Sequence, residues 1–331
     1  MPDLSVIIPE THQNISFGYL EVLIQDRRQE LFSGLMRISY PSGENLVFMF
    51  LDGVQQNLYR CTESAAEIVN RQSWLQVLNR PGASVGILPM SVDGLRLVRV
   101  IHEAPVLKVE KSSLSNKELA ENFKAWADSP EPSFVHVRAG DVHRLHLFVG
   151  NPNPIVEELT VTGAQARFSI GGTSISQTLP MTDYKVSRYV STAENDAWRE
   201  YKLRLAFHSL MRMLINRFGE LAGRVLAERL GGQLTDWVGS SGWNMSINSN
   251  GVANRQYFDS LTEAVNAYMG ILRQFRDEAS PAVGPRLVEN MFRDSLTKLP
   301  VNFRSVVGSY LYDQLGLGSA AVVTQKEITK L

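Results

Sequence analysis

Apolar and polar positions follow two different periods along this chain. Up to about residue 190 the apolar residues come in short runs separated by turn signals, which is the pattern of strands. Beyond Asp196 they recur every third or fourth residue, which is the pattern of amphipathic helices. The first part opens with a helix capped by Asn14 or Ser16, with Phe17, Leu20, Ile24 and Arg27 on one face, ending near Ser33-Gly34. Strands are expected at 35–40, 46–51 and 54–60, turned by Pro41-Ser42-Gly43 and by Asp52-Gly53, a hairpin signal. Ser64 and Glu67 have capping-box spacing and predict a second helix, stopped by Arg80-Pro81-Gly82. Two more strands are expected at 85–90 and 95–102, with Asp93-Gly94 between them.

The polar, serine-rich run 108–116 reads as a boundary. Ser115 and Glu118 then form another capping box, opening a helix through Trp126 that Ser129-Pro130-Glu131-Pro132 ends. Strands follow at 133–138, 142–149 and 155–162, and 168–192 reads as an edge strand or connector. The order helix, strand, strand, strand therefore occurs at 14–60 and again at 115–162, which suggests one motif used twice; residues 46–53 and 145–150 are the closest pieces.

In the second part Leu203, Phe207, Leu210, Leu214, Phe218, Leu221 and Val225 form one helical stripe, with Gly231-Gly232 as its stop. Ser260 and Glu263 open the next, carried by Leu261, Val265, Tyr268, Leu272 and Phe275. Ser280-Pro281 reads as the start of a further helix ending at Leu299-Pro300, and a last helix at 303–311 closes at Gly316. Residues 221–228 line up with 282–289, as in a pair of helical hairpins packed into one bundle. Between the pairs, 231–255 holds Trp237, Trp243 and an Asn250-Gly251 hairpin turn. The expected fold class is α+β: two small helix-plus-antiparallel-sheet modules followed by an all-α helical bundle. The expected divisions are 1–110, 111–192 (second module and connector), 193–318 (bundle) and a flexible tail at 319–331.

The stretch Phe32-Ser33-Gly34-Leu35-Met36-Arg37-Ile38-Ser39, followed by Leu46-Val47-Phe48-Met49-Phe50-Leu51-Asp52-Gly53-Val54, resembles the core of PATAN-type modules of bacterial signalling proteins. The resemblance covers about residues 14–80. It implies a regulatory module that makes protein–protein contacts without catalysis of its own. Asn57-Leu58 departs from it, standing where the family often has a small residue. Gly284-Pro285 is similar to the helix start of helical modules that accompany such regions in bacterial regulators.

Composition narrows the function classes. The 331 residues are 44% hydrophobic and carry a net charge of −1, with no basic block of the kind that neutralises nucleic-acid phosphates. The locally basic stretch 199–229 is interleaved with Asp196, Glu200, Glu220 and Glu228 and reads as a solvated helix face. One cysteine, Cys61, permits no internal disulfide; no signal peptide or long apolar run is evident, so a cytoplasmic protein without a membrane span is expected. His136, His143 and His146 are close in sequence, but on one strand His143 and His146 point to opposite faces, and a third metal ligand is lacking. His208 reads as a boundary histidine beside a helical stripe. Ser295-Leu296-Thr297-Lys298 matches a Ser-x-x-Lys pattern without its companion motifs. Nucleotide-binding glycine loops are absent.

The expectation is a non-catalytic signalling or scaffold protein with no cofactor, acting through a protein partner and self-association. The alternative is a small-molecule sensor holding an anionic ligand or a chromophore in the helical part, near Trp237, Trp243, Arg224 and Arg286; arginines suit anions because guanidinium donates in pairs. A second alternative is an enzyme whose site assembles from distant residues.

Overall fold

Strand alternation and turn chemistry build two antiparallel sheets before the helices begin. The computed structural model describes residues 4–61, 66–69, 78, 80, 82–148, 156–171, 183–191 and 195–316. It falls into two units, Met1–Asn195 and Asp196–Leu331. The α+β expectation holds: two six-stranded antiparallel sheets precede a helical region.

The first sheet comprises β1 (Glu10–Ile15), β2 (Gly34–Ser39), β3 (Asn45–Leu51), β4 (Val54–Cys61), β5 (Ala66–Ile68) and β6 (Ala83–Pro89), with α1 (Phe17–Gln29) between β1 and β2. Its order is β1-β6-β2-β3-β4-β5. After α2 (Val92–Glu103) comes the second sheet: β7 (Val106–Ser115), β8 (Ser133–Ala139), β9 (Val142–Phe148), β10 (Val156–Thr162), β11 (Gln165–Gly171) and β12 (Asp183–Ser191), with α3 (Asn116–Ala127) between β7 and β8. Its order is β7-β12-β8-β9-β10-β11. The two orders are one topology: strand, helix, then five strands, the last inserted between the first and second. The repeated helix–strand–strand–strand order is part of this larger repeat.

Each sheet buries one face under its own helix. Leu20 and Leu23 of α1 pack on Met36, Ile38, Leu46, Phe48, Phe50, Leu58 and Val85. Leu119, Phe123 and Trp126 of α3 pack on Val135, Val137, Phe148, Tyr184 and Val186. The opposite faces meet α2. On the first sheet His102 lies edge-on to Tyr59 at 4.5 Å, and the Glu103 carboxylate accepts from Tyr59 Oη at 3.0 Å and Asn57 Nδ2 at 3.2 Å. On the second, Gly94 comes so near Leu159 of β10 that an added Cβ would lie 3.2 Å from its Cδ1. Every residue from Gly94 to His102 is buried.

That burial explains why 95–102 is helix where a strand was expected. A helix covered on all sides shows no polar face, and its period is lost in a continuous apolar run. Ser91 caps it by accepting from Gly94 N, and Asp93 sits in the first turn, where the helix dipole favours an acid. The polar run 108–116 is β7 and the first residue of α3, not a linker: as an edge strand β7 is solvated along much of its length. Residues 184–190 belong to β12, an interior strand between β7 and β8. Glu67 lies in β5, opposite Arg60, and does not open a helix; its expected partner Ser64 lies outside the described residues.

The second unit contains α4 (Asp196–Ala222), α5 (Arg224–Ser240), the hairpin β13 (Met245–Asn248) and β14 (Gly251–Asn254), α6 (Leu261–Val283), α7 (Pro285–Lys298) and α8 (Val301–Val307), which runs into a π turn at Gly308–Tyr312. Phe207 of α4 stacks on Tyr268 of α6 with centroids 4.1 Å apart, and Phe275 of α6 meets both Phe218 and Phe292 edge-on. The helix stops differ from expectation. Gly231-Gly232 lies inside α5; Gly231 is small because the hairpin passes there, with Ile247 O 3.0 Å from where a Cβ would stand. Ser280-Pro281 lies inside α6. The breaks fall at Gly223 (φ 96, ψ 154) and Gly284 (φ 89, ψ 145), the same position in the aligned segments 221–228 and 282–289.

Both glycines occupy a region that side chains other than hydrogen disfavour, with open space where a Cβ would be. Gly223→Ala and Gly284→Ala are each expected to destabilise by about 1–3 kcal/mol in urea unfolding. A glycine merely tolerated within a helix would give the opposite sign, a gain of up to about 1 kcal/mol.

Candidate functional site

The four residues singled out in the helical part do not converge. Trp237 of α5 and Trp243, just beyond it, are half-buried and pack edge-to-face at 5.6 Å. Their rings sit over Gly270 of α6, where a Cβ would lie 2.8 Å from Trp237 Cη2 and 3.5 Å from Trp243 Cη2. The pair therefore packs back on the helices. Arg224 opens α5 thirteen residues before Trp237, about 20 Å away along the helix axis. Its side chain is 86% exposed and pairs with Glu228 at 2.9 Å, one turn on. Arg286 is exposed in the first turn of α7. Arg224 directly follows the helix-breaking Gly223, whereas Arg286 comes second after Gly284, behind Pro285. Ser295 is buried on α7 while Lys298 is exposed at its end, so the Ser-x-x-Lys pair does not face a common site.

The edges of the two sheets differ in a way the sequence did not disclose. β1 is the outer strand of the first sheet, six residues long, and its ladder to β6 is irregular at two places. Such irregularities twist an edge away from further pairing. β7, its counterpart in the second sheet, runs for ten residues and pairs with β12 regularly from Asp183↔Ser115 to Val190↔Lys108. Among the described residues no strand pairs with its outer side. Leu107, 71% exposed, stands where the register shifts between Lys108 and Val106; Val109, 44% exposed, shares one face with exposed Lys111, while Glu110 on the other face holds Lys108 and Arg188.

The histidines of the second sheet fall on two faces, as alternation requires. His136 and His143 meet across β8 and β9 on the face away from α3, with Nε2 and Nδ1 2.9 Å apart and rings stacked at 17°. Burial, then the neighbouring His143 and Arg138, push His136 down to about 4. Among the described residues no group of three His, Cys, Asp or Glu side chains is placed to hold a metal.

His146 lies on the α3 face, edge-on to Phe123 at 4.5 Å. Its Nδ1 is 3.7 Å from Glu158 Oε2, and Arg144 Nε is 3.7 Å from Glu158 Oε1. At those separations Arg144 and Glu158 form an ion pair without a hydrogen bond, and neutral His146 lies beside the carboxylate without bonding it. Thr160 donates to Glu158 Oε1 at 2.6 Å. Arg144 Nε and Nη1 and His146 Nδ1 are buried with no hydrogen bond. Burial, then Arg144 and His136, push His146 down to about 3.

The repeat shows what these positions ordinarily hold. Ladder by ladder, Gly34↔Phe50 corresponds to Ser133↔Phe148, Met36↔Phe48↔Leu58 to Val135↔His146↔Glu158, and Ile38↔Leu46 to Val137↔Arg144. Where the second sheet has His146, Glu158 and Arg144, the first has Phe48, Leu58 and Leu46, all within the α1 core. A buried donor or acceptor left unmade costs about 1–3 kcal/mol, so the polar set is not there for stability.

Acid should expose this cost. His102 and His146 both sit near 3 through burial, against about 6.5 in an unfolded chain. Below about pH 6.5 the unfolded chain takes up protons that the folded chain refuses, so stability falls with falling pH down to about 3, by up to about 1.4 kcal/mol per pH unit for each histidine. In urea unfolding across that range, His146→Phe is expected to remove one such contribution; an unchanged slope would contradict it.

Comparison with protein-family models, with curated proteins and with solved structures found no match for this chain.

Proposed function

We propose that this chain is a non-catalytic scaffold that binds an extended segment of a partner protein by strand addition along β7. The carrying observation is the outer side of β7, in unbroken register from Lys108 to Ser115 after one shift at its start, beside the shorter β1 with two shifts at the same place in the repeat. An unpaired edge offers backbone donors and acceptors to a strand from another chain, and side chains on alternate positions select the partner. Val109 and Lys111 suit a segment that carries an apolar residue and an acid on alternate positions, and Leu107 adds exposed apolar surface at the end of the edge. Lys108 and Lys111 restrain promiscuous pairing, as charges on edges do. The likeness of residues 14–80 to PATAN-type signalling modules supports the same reading. A second copy of this chain is one partner such an edge accepts.

Leu107→Lys with Val109→Lys tests it. Both side chains are exposed, so stability should stay within about 0.5 kcal/mol of wild type. Capture of a specific partner, or self-association by native mass spectrometry, should be lost in the variant. Equal recovery by both proteins, or a wild-type monomer with no specific partner, would sink the reading.

A further inference from the structure

The polar set in the core of the second sheet calls for an explanation of its own. The repeat demonstrates that this fold closes over Phe48, Leu58 and Leu46 at the same ladder positions. Nothing in the topology requires His146, Glu158 and Arg144 there. They are also incomplete as a set: two nitrogens of Arg144 and one of His146 have no hydrogen bond although they are buried. Arg144 and His146 are 7% and 2% exposed, whereas Glu158 is only half-buried. The ladder continues outward to β11, where Ser169 stands opposite Glu158 and Arg167 opposite Thr160. Ser169 and Arg167 are exposed. The set thus runs from a buried end at β9 to an open end at β11, all on the face that carries α3.

We propose that Arg144, His146 and Glu158, with Arg167 at the mouth, form a binding site for a small carboxylate. A carboxylate oxygen supplies the acceptor that the buried Arg144 nitrogens lack, and the charge-assisted bond is of the strong kind. Neutral His146 donates from or accepts at Nδ1 according to its tautomer. Two arginines against one glutamate leave one net positive charge, which suits a monoanion. A phosphate dianion would be repelled by Glu158. The glutamate serves as acceptor for a hydroxyl or ammonium next to the ligand's carboxylate, which favours hydroxy acids and amino acids over simple fatty acids. The site lies across β9–β11, at the far edge of the sheet from β7, and does not depend on strand addition there.

The test is titration of the full chain with acetate, glycine and inorganic phosphate at constant ionic strength. The His146 imidazole nitrogen resonances and the melting temperature are followed. Acetate and glycine are expected to shift the His146 signals saturably and to raise the melting temperature, with glycine the tighter and phosphate the weaker. Arg167→Ala, a change at an exposed position, is expected to weaken glycine binding about tenfold, the loss of one charge-assisted contact, without altering the fold. The combined Arg144→Leu, His146→Phe, Glu158→Leu variant copies the first sheet; it should fold, melt higher than wild type and respond to no carboxylate. His146 signals that stay unmoved by every probe would overturn the proposal and leave a closed ion pair. A carboxylate response that survives intact in Arg167→Ala and in the combined variant would overturn it by placing the binding elsewhere.

Discussion

The first unit depends on a helix with no solvent face. α2 is buried from Gly94 to His102, and its two sides rest on two different sheets. Its acidic and arginine side chains are paired rather than solvated, while both ring nitrogens of His102 are buried without a hydrogen bond. Glu103 gathers Tyr59, Asn57 and Arg99, with Arg99 Nε at 3.2 Å, and Arg96 turns back to Asp93 at 2.8 Å. Buried charge is tolerable when paired and costly when one partner is missing. A sheet has two faces to bury, and each of these sheets covers one with its own helix. The remaining face of each is served by the same α2, so the two modules make one unit even though each repeats the other's topology.

Duplication also makes differences legible. A feature shared by both sheets belongs to the topology; a feature in one only needs another cause. Phe50 and Phe148 hold the same ladder place and pack under their helices in both. Edge and core then diverge. β1 is short with two register shifts where β7 is long with one, and an apolar trio in one core is an imidazole, a carboxylate and a guanidinium in the other. Both departures fall in the second sheet.

Local chemistry was legible where it acts locally. Ser115 and Glu118 form a complete capping box, Ser16 caps α1, and Asn250-Gly251 turns the β13–β14 hairpin. At α6 Ser260 accepts from Glu263 N as expected, but the Glu263 carboxylate returns to Asp259 N instead of Ser260 N. What long-range packing decides was not legible. All-round burial removes the helical period of α2, and the polar side chains that edge strands tolerate hide both β7 and β1 in the sequence. The three histidines were noticed, and their division between two faces followed from alternation. That His146 stands opposite Glu158 needed the register of β10, which no sequence period encodes. Gly284-Pro285 is legible as a helix start, whereas the matching break at Gly223 is hidden by the stronger stop signal of Gly231-Gly232, and Ser280-Pro281, a start signal, lies within α6.

The insertion of β6 between β1 and β2, and of β12 between β7 and β8, has a consequence for how the chain is made. β1 and β2 run parallel with a one-strand gap between them, bridged by α1. The strand that fills the gap arrives late: the Thr11 hydroxyl meets the Val85 carbonyl 74 residues on, and Arg188 meets Glu110 across 78. Contacts so distant form slowly, because the loop must close before they reward it. During synthesis each module therefore waits with an open slot flanked by two unsatisfied ladders. The closing strand of another copy has the same sequence as the chain's own, so an unfilled slot is the place where exchange of β6 or β12 between neighbouring chains would begin.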